Sequence, residues 1–159
     1  MAHIKLPEFG NIKVFLFIFL FFYSALQAKE YKVIYDCSSS DAGYIKSRMW
    51  LVGKTMDMIE EQGDSTEVVL TLHGGCVPMI SEDYDMIVAD EDIENIHKAQ
   101  EYLKSLSKRD NIKIIACSMS LSANAIDKKS VLPFVHISKN SFLDTIRYQN
   151  EGYAIMTFK

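Results

Sequence analysis

Ile112-Lys113-Ile114-Ile115-Ala116-Cys117, with Ser118 to Ile126 directly after it, is the stretch from which the fold can be read. The run is apolar at every position but one, so it lacks the alternation of a half-solvated strand, and it is too short for a buried helix. Such a run belongs to a strand covered on both faces, the situation of a parallel sheet with helices on either side.

The segments on either side agree. Tyr31 to Cys37 (YKVIYDC) and Glu67 to His73 (EVVLTLH) are rich in β-branched and aromatic residues and end at turn formers, the second at Gly74-Gly75, so both predict strands. Between them Ile45, Met49, Val52, Met56 and Ile59 recur at alternating spacings of four and three, one face of a helix ending near Gly63. Ser38 to Asp41 supply its N-cap candidates. A second amphipathic helix is predicted from about Asp92 to Ser107, with Ile93, Ile96, Leu103 and Leu106 inward. Beyond Cys117 follow a short helix (Ser118 to Ile126), a short strand (Phe134 to Ile137), a helix (Ser141 to Asn150) and a last strand (Tyr153 to Phe158). The order predicts a single α/β domain: a mostly parallel sheet of about five strands with helices on both faces. Residues 76 to 91 fit either a short helix or a mobile loop over the site.

Composition sets the class. Of 159 residues, 48% are hydrophobic and 24% charged, and the net charge is −4, which excludes a disordered chain and argues against a nucleic-acid binder. The most apolar block, Val14 to Tyr23, follows Lys5 and Lys13 and precedes Ser24-Ala25-Leu26-Gln27-Ala28. It is about half the length needed to span a bilayer. Residues 1 to 28 therefore read as a secretory signal peptide cleaved after Ala28, with an uncleaved anchor as the alternative. The domain is then residues 29 to 159, exported to a periplasmic or extracellular location with no membrane association after cleavage.

Export makes the cysteines informative, because disulfides persist there. Three thiols, Cys37, Cys76 and Cys117, cannot all pair. On the predicted strands Cys37 ends the first, Cys76 follows the second and Cys117 ends the third, so all three map to the carboxyl edge of the sheet, where functional groups of open α/β sheets gather. Cys37 by itself reads as a small buried hydrophobe. Cys117 stands before a predicted helix start, where amide donors and the helix dipole favour thiolate, the nucleophilic form. His73 and His136 lie at or near strand ends and are candidate proton partners. Adjacent strands are close enough for a bridge, Cys37 with Cys117 or Cys37 with Cys76, and either leaves one thiol over.

Dithiol, haem-attachment, dinucleotide, P-loop and serine-hydrolase motifs do not occur, so no cofactor is expected. His73-Gly-Gly-Cys76 supplies two metal ligands and no matching second pair, which argues against a structural metal.

From Tyr31 to Lys159 the chain resembles the DsrE/DsrF-like family of small sulfur-handling proteins. The likeness rests on YKVIYDC, on LTLHGG (Leu70 to Gly75), and more specifically on IACSMSL (Ile115 to Leu121) and DTIRYQNEGYAIMTF (Asp144 to Phe158). It implies a parallel sheet flanked by helices, assembly into trimers or hexamers, and a persulfide-carrying cysteine at the position of Cys117. The expected function is a periplasmic protein that binds or transfers sulfane sulfur on Cys117, with a protein or polysulfide as donor or acceptor. The alternative is a non-catalytic oligomeric binding or scaffold protein with structural or redox-sensing cysteines.

Overall fold

The structure, a computed structural model, describes residues 28–159. The segment read as a signal peptide lies outside the described residues, except for its last residue. Five strands, β1 (Glu30–Cys37), β2 (Ser65–Leu72), β3 (Ile112–Cys117), β4 (His136–Ser138) and β5 (Ala154–Phe158), form one sheet in the order β4-β3-β2-β1-β5. Every pairing is parallel, as the apolar run of β3 predicts.

Helix α1 (Ala42–Glu60) starts at Asp41, whose side chain accepts the Tyr44 N–H at 2.8 Å and so satisfies one of the free amides of the first turn. Its predicted face is the buried one: Ile45, Met49, Val52 and Met56 lie in the core. Helix α2 (Ile93–Leu106) lies beside it and buries Ile96, Ala99, Leu103 and Leu106, while Ile93 is half-buried at the helix entrance. Together they cover the sheet face formed by Tyr35, Cys37, Val68, Leu70, Leu72, Ile114 and Ala116.

Residues 76 to 91 take the short-helix alternative and do not form a loop over the site. Three 3-10 turns occupy this part of the chain, the first at Gly74–Ile80, and Cys76, Val77, Met79 and Ile80 are fully buried in the same core. Strand β4 begins two residues later than predicted, because the Val135 N–H bonds the Leu132 carbonyl and closes a turn where the strand was expected to start.

The opposite face carries less cover. Helix α3 (Ser118–Ala123) is a single short segment at the carboxyl edge, and α4 (Ser141–Asn150), capped by Asn140 on the Phe142 N–H, lies over β1 and β2. Ser141, Asp144 and Tyr148 are the buried residues of α4, and Tyr148 joins Tyr153, Ile34, Val69 and Ile115 in a second, smaller cluster.

Candidate functional site

Side chains alternate along a strand, so a residue's face follows from its neighbours. Ile114 and Ala116 belong to the large core and Ile115 to the small one, which puts Cys117 on the thinly covered face. The same count along β2 puts Thr71 and His73 on that face, and along β1 it puts Asp36 there. Thr71 is the register partner of both Ile115 and Asp36. One step further along the same rows, His73 and Cys117 therefore stand side by side on neighbouring strands, about 4.8 Å apart in backbone.

The polar groups in this row are linked. His73 Nε2 lies 3.0 Å from Asp36 Oδ1, and the Thr71 hydroxyl donates to the same oxygen at 2.8 Å. An ionised carboxylate only accepts, so the imidazole N–H must be the donor, which fixes the tautomer. This bond raises the His73 pKa above its ordinary value. Burial opposes the rise, while the charges of Asp36 and of an ionised Cys117 add to it. For Asp36 the largest single influence is burial, which pushes the carboxyl up. The bonds from His73 and Thr71, with the charges of His73 and Lys159, together outweigh it and lower the pKa.

Cys117 is 4% exposed and is the free thiol among the described cysteines. Burial pushes its pKa up, but the amide and hydroxyl of Ser120 and the amides of Ser141 and Met119 bring it below the ordinary thiol value. The donors thus come from the first turns of two helices, α3 and α4. A thiol pushed down beside an imidazole pushed up favours the thiolate and imidazolium pair.

Cys37 and Cys76 are different. They form a disulfide, with Cα atoms 5.9 Å apart, on the large-core side of the sheet. Of the two bridges open to Cys37, this is the one that forms, and Cys37 is not an inert buried thiol. All three sulfurs lie at one edge, as the strand ends predict, but on opposite faces. Cys37 and Cys117 end strands on either side of β2 with opposite pleat phase, which prevents a bridge between them.

His136 is not brought into this cluster. It opens β4 opposite Ile115, one pleat short of Cys117, and is exposed, while Ser138 is the register partner of Cys117. The sequence reading missed Asp36, the Ser120 hydroxyl and the Ser141 amide, while the amides following Cys117 were expected. Asp36 was detectable as the one acidic residue between Tyr31 and Cys37, following the apolar and aromatic run Val33 to Tyr35 and one position out of phase with Cys37. Among the described residues no three His, Cys, Asp or Glu side chains converge to hold a metal.

The family model for the DsrE/DsrF-like family matches residues 29–158. The chain belongs to that family. Its sheet has the same fold as a solved protein of unknown function from Methanobacterium thermoautotrophicum, with a TM-score of 0.63 and 18% identity over 80% of this chain and 99% of that one. An uncharacterized protein of Aquifex aeolicus is 32% identical over 146 residues, 92% of this chain. The chain spans 63% of that relative's length. The DsrE/DsrF-like assignment and the five-stranded parallel architecture expected from the sequence are both borne out. In this DsrE/DsrF-like chain the segments IACSMSL and LTLHGG are the two that bring Cys117 and His73 together.

Proposed function

We propose that this protein carries sulfane sulfur as a persulfide on Cys117. The observation that carries the reading is the placement of a free thiol, at the start of α3, beside an Asp36-paired His73. The Cys117 thiolate attacks the outer sulfur of a donor persulfide R–S–SH. A new S–S bond forms at Cys117, the donor S–S bond breaks, and the leaving thiolate takes a proton from the His73 imidazolium. No net oxidation occurs. His73 is preferred over His136 for this role because His73 is the neighbour of Cys117 and is held by a carboxylate.

The chain acts as an exported protein in this reading, supported by the lysine-flanked apolar block Val14 to Tyr23. It acts as a homo-oligomer, trimer or hexamer, supported by the family and by the exposed apolar side chains Phe142, Leu143 and Ile146 of α4. The donor is a polysulfide or a partner protein's persulfide, and the acceptor is a partner protein's thiol.

Incubation with inorganic polysulfide followed by intact mass measurement tests the reading. The expected result is a gain of about 32 Da, one sulfur atom, that disappears on reduction and is lost in Cys117→Ser. An unchanged mass, or an adduct that persists in Cys117→Ser, overturns it.

A further inference from the structure

The turn after β2 connects the disulfide on one face to the free thiol on the other. His73, Gly74 and Gly75 lie between the last residue of β2 and Cys76. The His73 N–H bonds the Cys37 carbonyl at 2.9 Å, and the Gly75 N–H bonds the Ser38 carbonyl at 3.1 Å, so the turn lies along the segment that leaves β1. Contact there is close enough that a Cβ on Gly75 would come within 2.7 Å of the Ser39 carbonyl oxygen, and Gly74 has φ +52°. The Cys37–Cys76 bond ties the two segments together. On its other side the turn touches α3: the Gly74 N–H donates to Ser120 Oγ at 3.0 Å, and Asn124 Nδ2 donates to the Gly74 carbonyl at 3.4 Å. Because the Ser120 oxygen accepts from Gly74, its own O–H is left to donate, and Ser120 stands in the first turn of α3, three residues on from Cys117 at the helix start.

We propose that the Cys37–Cys76 bridge is a maturation device for Cys117: closing it fixes the His73-Gly74-Gly75 turn, which orients the Ser120 hydroxyl at the thiolate and sets His73 beside it. The proposal rests on the reading of Cys117 as the reacting thiol and adds what controls it. Both bridged cysteines are 0% exposed, so a reductant has no direct approach in the folded protein. The bridge is therefore set during folding, not toggled afterwards. It forms when the thiols of Cys37 and Cys76 give two electrons and two protons to a disulfide oxidant, which leaves as two thiols. A chain in a reducing compartment keeps the bridge open and Cys117 slow. Ser120 is a positioning residue in this scheme, acting on the sulfur that reacts.

The experiment compares three full-chain proteins: bridged wild type, wild type folded under dithiothreitol and then freed of it, and Ser120→Ala with the bridge intact. Iodoacetamide alkylation of Cys117 is followed by peptide mass as a function of pH, with circular dichroism as the check on folding. At pH 7 the open form and Ser120→Ala are expected to react about tenfold more slowly, with the midpoint of the rate profile moved up by about one unit, the effect of losing one charge-assisted bond to the thiolate. Unfolding the open form and refolding it in the presence of glutathione disulfide restores the bridged rate. Equal rates in bridged and open protein overturn the proposal. If the open form does not fold, Ser120→Ala decides, and a wild-type rate and profile overturn it. Failure of the bridged protein to take up sulfur would sink the persulfide reading alone, because the alkylation difference is measured independently.

Discussion

The two faces of this sheet are built to different ends. Among the described residues 25 buried side chains form the cluster under α1 and α2, against five under α4, so the first face is where most of the burial energy lies. It also holds the disulfide. The second face holds Asp36, Thr71, His73, Cys117 and a buried Asp144 whose Oδ2 has no partner, groups that cost free energy to bury. A parallel sheet allows this division because adjacent residues of one strand face opposite sides. Asp36 and Cys37 are neighbours in sequence, yet one belongs to the site and the other to the core.

The largest effect is expected from cutting a side chain on the packed face. Leu70→Ala, beneath α1 and α2, is expected to cost about 2 to 5 kcal/mol in urea unfolding, because a fully buried side chain leaves a cavity. Were its cost within about 0.5 kcal/mol, the usual range for surface changes, the packed face would not be the source of stability.

A smaller effect is expected at the Asp36–His73 pair, and it should depend on pH. His73 has a raised pKa, so its contribution is fully present below its unfolded value, about 6.5, and fades as pH rises through the folded value. Asp36 has a lowered pKa, so its contribution is present above about 3.9 and is lost as pH falls through the folded value. The pair therefore stabilises most between those two reference values. Asp36→Asn should destabilise more at about pH 5 than at about pH 9, and equal losses at both would mean that no charged pair exists.

The smallest change in the stability of one chain is expected at Leu143, 61% exposed on α4. Leu143→Ser should leave single-chain unfolding within about 0.5 kcal/mol of wild type. If the outer side of α4 is the assembly surface, sedimentation should show a shift from oligomer toward single chains. An unchanged oligomer would remove α4 from the interface.

How far the sequence can be read follows the same division. The packed face was legible because its signals are local: the unbroken apolar run of β3, the four-and-three spacing of α1, the Gly-Gly stop after β2. Cys117 and His73 were legible as strand-end residues. The 3-10 turns from Gly74 onward were not, since such short helices have no periodicity to detect and bury their side chains through tertiary contact. The partnership of Asp36 with His73, and that of Cys37 with Cys76, depends on which strands are neighbours and in what register. Neither is a property of a single segment.

Strand β5 is an edge of the sheet. It pairs with β1, the first strand, and the amides of Ser38 and Ser39 both end on the carbonyl of Phe158. During synthesis the outer edge of β1 stays unpaired until nearly the whole domain has left the ribosome, and a bare strand edge is a template for other chains. Contacts this distant in sequence also form late in folding. The segment that closes the sheet next to Asp36 and Cys37 is thus the last to arrive, and for that interval the nascent chain is most exposed to aggregation.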